Sequence, residues 1–177
     1  MEKVKMELGK KMDKALHYVA HNLELTGHNS KPVLFHSFKV GYLLFNYGYS
    51  ENIVVAALLH DLIEDTDITY DDLKNEFSIE VANLVKTVSF NPNISDEYEQ
   101  AKEMFNNCLE YGFDALIIKC SDLIDNIGFI KFVDEKSERI KLLKKYELFL
   151  NMAEKIIGKE EIYEALKRKY NEVKEGR

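Results

Sequence analysis

The sequence is poor in residues that break helices or cross-link chains. Its 177 residues include two prolines, two cysteines and no tryptophan. The cysteines, Cys108 and Cys120, have no CxxC or other ligand spacing, which excludes a zinc ribbon and favours reduced thiols. Apolar residues make up 46% of the chain, so a core can form without disulfides. We therefore expect one domain over residues 1–177, and no linker or repeat divides it.

Long hydrophobic runs and an excess of positive charge are also missing. No apolar stretch approaches the roughly 18 residues that cross a bilayer, so we expect a cytoplasmic protein that does not enter the membrane. The net charge of −7 argues against a non-specific nucleic-acid binder. An acidic protein can still bind an anionic nucleotide where a metal ion or a few lysines focus positive potential.

Helical spacing of apolar residues is the main pattern that is present. Residues such as Leu8, Met12, Leu16 and Val19 follow the i, i+3, i+4 rule, whereas no segment sustains the strict alternation of a strand. The pattern predicts an all-α fold. We predict helices at 2–25, 33–47, 51–64, 70–77, 79–89, 96–111, 114–127, 137–157 and 160–174.

Capping residues mark where these helices begin and end. Predicted starts lie at Pro32, Ser50, Thr69 with Asp72 three residues later, Ser78, Ser95 and Ser137. Predicted ends fall near Gly27, Gly48, Gly112 and Gly158. The longest irregular segments are then 27–31, 91–95 and 128–136, and loops of this kind beside a rigid scaffold often grip a substrate.

Four residues of the kind that bind metals stand inside apolar helical runs: His36, the dyad His60-Asp61, and Asp122. Such side chains are costly to bury unless they are paired or bound to a metal. Adjacent helical residues diverge by about 100°, so the dyad can meet one ion only near the rim of a buried face. Two imidazoles and two carboxylates suit Mn²⁺, Fe²⁺ or Zn²⁺. No further histidine follows the dyad, which favours a single metal.

Two acids follow the dyad at helical spacing. Glu64 is i+4 from His60 and i+3 from Asp61, and Asp65 comes next. A metal lowers the pKa of bound water and polarises a phosphoryl oxygen, while a nearby carboxylate accepts the proton or orients the nucleophile. The combination indicates hydrolysis of a phosphoester or pyrophosphate bond.

These residues resemble a known family, the HD superfamily of metal-dependent phosphohydrolases, whose pattern is H…HD…D. Within it, the run from His60 to Thr66 is similar to the HDxxEDT signature of RelA/SpoT-type small alarmone hydrolases. The segment Lys119-Cys120-Ser121-Asp122 with Asn126 resembles that family's K-L-A-D-R-x-x-N segment, and residues 31–36 are similar to its approach to the first histidine.

The resemblance implies an all-helical, single-domain bundle that holds one Mn²⁺ and removes the 3′-pyrophosphate of guanosine tetra- or pentaphosphate. Its partner would be this small nucleotide. By the same match, the metal ligands are His36, His60, Asp61 and Asp122, the catalytic pair is Glu64 and Asp65, and Asn126 and Tyr146 contact the substrate. Lys119 is either a further substrate contact, at a phosphate group, or a residue at a helix edge whose ammonium reaches solvent.

Four positions depart from the family pattern. Leu25-Thr26 stands where the family has an Arg-Lys pair that packs on the purine, Leu123 replaces a basic residue, and Asp125 replaces an aromatic residue or histidine. Two alternatives therefore stay open: another HD-type nucleotide phosphohydrolase that releases orthophosphate, and a non-catalytic nucleotide sensor. The sequence leaves the oligomeric state open.

Overall fold

The computed structural model describes residues 2–28 and 32–176. Residues 29–31 of the predicted loop from Gly27 to Lys31 thus lie outside the described residues. Within the described ranges the chain is helical and has no strand, which confirms the predicted all-α fold. The chain divides into two compact units, Met1–Ser89 and Phe90–Arg177.

The N-terminal unit is built around a short helix that is apolar and buried from Ile53 to Leu59. Its helices are α1 Glu2–Thr26, α2 Val33–Tyr47, α3 Glu51–Leu59, α4 Leu62–Asp65, α5 Tyr70–Glu76 and α6 Ile79–Val88. Every residue of α3 from Ile53 to Leu59 is buried, because α1, α2 and α6 all pack against it. A helix that is apolar on all sides belongs at the centre of its unit.

A glycine sets how closely α2 approaches α3. A Cβ atom placed on Gly41 would lie 2.4 Å from Cδ2 of Leu58, a side chain that is itself fully buried. Only a residue without a side chain fits this crossing. The crossing matters for function because α2 carries His36, and α3 leads directly into His60.

The C-terminal unit is likewise organised around one buried helix. Its elements are α7 Glu97–Tyr111, α8 Phe113–Asn126, a 3₁₀-helix Ile127–Phe132, α9 Lys136–Ile157 and α10 Glu161–Glu175. Residues Ala115 to Ile124 of α8 are all buried. Phe105 of α7 meets Phe149 of α9 edge to face with ring centroids 5.2 Å apart. The hydroxyl of Tyr163 donates to the carbonyl oxygen of Leu150 at 3.0 Å.

Several predicted helix boundaries are confirmed. Thr69 and Asp72 form a reciprocal capping box at the start of α5, and the hydroxyl of Ser78 accepts the backbone N–H of Val81 at the start of α6. Gly48 ends α2 with φ of 79°, a conformation that favours glycine.

Other predicted boundaries are wrong. Helix α7 begins after Asp96 rather than Ser95, because the Asp96 carboxylate accepts two backbone N–H groups, from Tyr98 and Glu99. Helix α9 begins after Glu135 rather than Ser137. The predicted irregular segment 128–136 contains the 3₁₀-helix, and the predicted helix 51–64 is interrupted after Leu59.

Both cysteines are buried in the C-terminal unit as free thiols, as expected. Burial raises the pKa of the Cys108 thiol to about 12 and raises that of Cys120 as well. The Cys120 thiol lies 3.5 Å from the carbonyl oxygen of Ile162. Among the described residues, no helix combines the length and the apolar character needed to cross a membrane.

Candidate metal centre

The dyad His60-Asp61 lies at an interruption between two helices. Helix α3 ends at Leu59 and α4 begins at Leu62. The carbonyl oxygen of Asp61 accepts the N–H groups of Glu64 and Asp65 at 3.1 and 2.8 Å, so Asp61 starts a new short helix. Both residues keep right-handed helical backbone angles, and the interruption brings Nε2 of His60 within 3.1 Å of Oδ1 of Asp61.

Three coordinating side chains of the N-terminal unit converge at this interruption. The Nε2 atoms of His36 and His60 are 3.1 Å apart. Nε2 of His60 is 3.1 Å from Oδ1 of Asp61, and Nε2 of His36 is 3.5 Å from Oδ2 of the same carboxylate. Sequence reasoning predicted all three as ligands, and the structure brings them together.

The orientation of His60 is fixed by its other ring nitrogen. Nδ1 of His60 lies 2.8 Å from the carbonyl oxygen of Ala57, which can only accept a hydrogen bond. Nδ1 therefore donates this hydrogen bond, and Nε2 is the ring nitrogen that faces His36 and Asp61. A backbone carbonyl that holds the far nitrogen is the usual support of a metal-binding histidine.

The predicted catalytic pair occupies α4, directly after the dyad. The Asp65 side chain is buried and that of Glu64 is half-buried. Thr66, the last residue of the signature, donates its hydroxyl to the carbonyl oxygen of Leu62 at 2.6 Å and accepts the N–H of Ile68 at 3.1 Å. This double hydrogen bond ends α4 and fixes the backbone that carries both acids.

Asp122, the fourth predicted ligand, lies on α8 in the C-terminal unit and is buried. Nζ of Lys119 is 3.0 Å from its Oδ2, and Nδ2 of Asn126 donates to its Oδ1 at 2.5 Å. Tyr146 is also buried, and its pKa is raised well above the ordinary value by burial and then by the charges of Asp122 and Asp125.

Sequence reasoning missed the contacts of Lys119 and Asn126 with Asp122. The spacing in the sequence indicates these contacts, because the residues three before and four after Asp122 share its face of the helix. Their predicted role as substrate contacts, and that of Tyr146, stays a prediction.

Two of the positions that depart from the family pattern, Thr26 and Leu123, serve the fold. The Leu25 side chain is 64% exposed, whereas the Thr26 hydroxyl donates to the carbonyl oxygen of Asn22 at 3.3 Å and accepts the N–H of Asp67 at 3.1 Å. Leu123 is buried beside Asp122. None of these side chains can supply the positive charge of the basic residue that it replaces.

The model of the HD domain family matches residues 15–154. The chain belongs to the HD domain family. Membership of this family, together with the grouped side chains of His36, His60 and Asp61 in the N-terminal unit, indicates a divalent metal. The donors fit such an ion, because Nδ1 of His60 is engaged by a carbonyl oxygen and its Nε2 faces the other two donors.

Relatives of this HD chain carry one recurring name, guanosine-3′,5′-bis(diphosphate) 3′-pyrophosphohydrolase. The Aquifex aeolicus protein is 34% identical over 113 residues, which cover 62% of this chain and 16% of that protein. Drosophila melanogaster MESH1 is 32% identical over 77 residues, 44% of this chain and 42% of that protein. A Mycoplasma pneumoniae protein with this name, given as probable, is 29% identical over 139 residues, 72% of this chain and 19% of that protein. The chain thus spans less than half the length of these curated relatives.

Solved structures share the fold of this HD chain. A metazoan orthologue of SpoT, described as hydrolysing ppGpp, aligns with a TM-score of 0.77 at 20% identity and covers 91% of this chain and 94% of that one. A Listeria monocytogenes protein aligns with a TM-score of 0.68 at 22% identity and covers 84% of this chain and 97% of that one. Both likenesses support the HD-type helical architecture.

Proposed function

We propose that this HD-family chain is a Mn²⁺-dependent hydrolase that removes the 3′-pyrophosphate of guanosine tetra- or pentaphosphate or of a related alarmone. The observation that carries the proposal is the convergence of His36, His60 and Asp61, followed immediately on α4 by Glu64 and Asp65. Relatives named for this reaction add support.

In this proposal Asp122 of the C-terminal unit completes a ligand set with His36, His60 and Asp61. Two nitrogen and two oxygen donors suit Mn²⁺, with Fe²⁺ or Zn²⁺ as alternatives. When bound, the ion supplies Lewis-acid chemistry at the phosphoryl group and activates water. Residues 1–177 would act as one catalytic domain in the cytoplasm.

Glu64 and Asp65 provide the proton transfer. Glu64 is half-buried and keeps access to solvent, so its carboxylate can accept the proton of the attacking water and pass it on. The buried Asp65 carboxylate orients that water. Both sit in the four-residue helix α4, whose two backbone bonds to the Asp61 carbonyl oxygen hold them at a fixed offset from the dyad. Positioning of this kind lowers the entropic cost of the reaction.

Nucleotide binding would involve Asn126, Lys119 and Tyr146 of the C-terminal unit. Tyr146 keeps its proton at neutral pH, because burial and the nearby charges of Asp122 and Asp125 raise its pKa. Its hydroxyl can therefore donate a hydrogen bond to a phosphate or sugar oxygen.

A second candidate is an HD-type nucleotide phosphohydrolase that releases orthophosphate. The observation that favours it is the lack of cations at the positions of the family's purine-binding pair, where Leu25 is exposed and Thr26 is engaged by Asn22 and Asp67. Without a guanidinium to stack on a purine, selection for guanine would have to come from other residues.

The test is a product analysis with metal-stripped protein that is reloaded with Mn²⁺. The substrates are guanosine tetraphosphate, its adenosine counterpart and a panel of simple nucleotides. Pyrophosphate released from an alarmone supports the first proposal, and orthophosphate from simple nucleotides alone supports the second. Tight nucleotide binding without any product would contradict both and point to a sensor.

A further inference from the structure

The carboxylate of Asp122 already has a cation beside it before any metal is considered. Nζ of Lys119 lies 3.0 Å from Oδ2, and the ion pair is buried, with side-chain exposures of 4% for Lys119 and 9% for Asp122. Asn126 donates to Oδ1, so both carboxylate oxygens are engaged from the same helix. A buried charge needs both a partner and further hydrogen bonds, and the Asp122 carboxylate has both.

Lys119 is held in this position from a second side. Its Nζ lies over the ring of Phe90 at 5.5 Å from the centroid, a cation–π contact within the C-terminal unit. Lysine has three donors, so the contact with Asp122 uses only part of its capacity. The ion pair and the ring contact together hold the Lys119 ammonium beside Asp122.

A carboxylate oxygen has two lone pairs, so the bonds from Lys119 and Asn126 do not block coordination of an ion by Asp122. The charge of Lys119, however, makes the binding of a metal ion to Asp122 less favourable. A positive charge 3.0 Å from Oδ2 repels a second cation that binds the same carboxylate, and this repulsion is strong where water is excluded. By thermodynamic linkage, a group that stabilises the metal-free state more than the metal-bound state weakens metal affinity.

We propose that Lys119 is a resident counter-cation of Asp122, a positioning residue that keeps the carboxylate in place in the metal-free protein and thereby weakens divalent-ion binding. This rests on the proposed function, in which Asp122 is a metal ligand. Asn126 differs from Lys119 because it orients the same carboxylate without adding charge. The two residues should therefore affect metal affinity in opposite directions.

The experiment is a calorimetric titration of metal-stripped protein with MnCl₂ in the absence of nucleotide. Lys119→Met removes the charge, and Lys119→Gln removes it while keeping a hydrogen-bond donor. Both variants should bind Mn²⁺ more tightly by about tenfold or more. Asn126→Ala should bind it more weakly by about tenfold. The control Lys131→Met removes a charge from an exposed position on the 3₁₀-helix and should bind Mn²⁺ as the parent does.

Melting temperatures provide a second measurement that does not depend on turnover. In chelator, the Lys119 variants should melt below the parent, because a buried carboxylate has lost its cation. Saturating Mn²⁺ should raise their melting temperature more than it raises that of the parent. Variants that fold only when Mn²⁺ is present would support the proposal in the same way.

Several outcomes would overturn the proposal. Unchanged or weaker Mn²⁺ binding in both Lys119 variants would remove the counter-cation role, and failure to fold with or without Mn²⁺ would make Lys119 purely structural. A raised KM for nucleotide at saturating Mn²⁺, with unchanged metal affinity, would return Lys119 to the substrate site. A parent protein that binds no Mn²⁺ would instead refute the proposed function.

Discussion

In the N-terminal unit, two imidazoles and a carboxylate meet with their coordinating atoms 3.1–3.5 Å apart, whereas in the C-terminal unit Asp122 lies between an ammonium and an amide. The first group comes from α2, which carries His36, and from the interruption between α3 and α4, which carries the other two residues. The second comes from one continuous helix. One unit thus obtains its geometry from helix crossing, and the other obtains it from local spacing along α8.

The contrast extends to charge. The cluster of His36, His60 and Asp61 combines two imidazoles with one carboxylate, and a divalent ion would bring further positive charge to it. Asp122 is already balanced by Lys119. We expect the N-terminal cluster to account for most of the metal affinity, and Asp122 with its neighbours to adjust it.

The largest effect should come from substitutions in the proposed catalytic pair, which should reduce turnover and leave metal binding intact. Glu64→Gln and Asp65→Asn should each reduce turnover by about 10²- to 10⁴-fold, because proton transfer and water orientation are lost. Both variants should still bind Mn²⁺ in a titration without nucleotide. Glu24→Gln, at an exposed position of α1, is the matched control and should keep full turnover. Full activity in both α4 variants would rule out this catalytic pair.

Removal of a ligand from the N-terminal cluster should come next. His60→Ala should weaken Mn²⁺ binding by more than about 100-fold, beyond the effect expected for a residue that only supports a ligand. His17→Ala, which removes an exposed histidine of the same unit, should leave affinity unchanged. Equal affinities in the two variants would show that His60 is a core residue and that the cluster does not bind metal.

A substitution at the crossing of α2 and α3 tests whether that crossing maintains the N-terminal cluster. Gly41→Val should lower the free energy of unfolding by about 1–3 kcal/mol, because its side chain would overlap Leu58 in a packed core. It should also weaken Mn²⁺ binding, since α2 carries His36. Gly9→Val is the control, because nothing lies within 4 Å of a Cβ atom at that position. Denaturant unfolding of both variants measures the difference, and equal stabilities would contradict the close crossing.

The smallest effect should come from a helix cap that belongs to neither cluster. Thr69→Ala removes the capping box of α5 and should cost about 1 kcal/mol of stability without a change in Mn²⁺ affinity. The Thr69 side chain and backbone lower the pKa of Asp72. A carboxyl group whose pKa is lowered by folding stabilises the fold at pH values above its ordinary pKa. This stabilisation is lost as the pH falls through the lowered pKa. The deficit of the variant in thermal melts should therefore shrink in acid, and a constant deficit would argue against the reciprocal bond.

Regular parts of this fold could be predicted because local signals coincide with the outcome. The Thr69 box, the Ser78 cap and Gly48 each act within a few residues, and sequence captures such effects. The interruption at His60-Asp61 was missed because apolar periodicity continues through it. It becomes visible only when the hydrogen bonds to the Asp61 carbonyl oxygen are known.

The candidate site could likewise be predicted only where local sequence determines it. The ligand types were predictable from the rarity of ionisable residues in apolar runs, but the close approach of His36 to His60 depends on the crossing at Gly41, which no local pattern encodes. The pairing of Lys119 with Asp122 was within reach of sequence reasoning.

The two cysteines give the C-terminal unit its own reporter. Both thiols are buried there and stay protonated at neutral pH, since burial raises the pKa of Cys108 to about 12 and raises that of Cys120 further. A thiol-alkylating reagent reacts with the thiolate and should therefore modify this protein only when that unit opens. The rate of alkylation would time the opening of the half that contains Asp122, and the N-terminal half, which has no cysteine, would stay unlabelled.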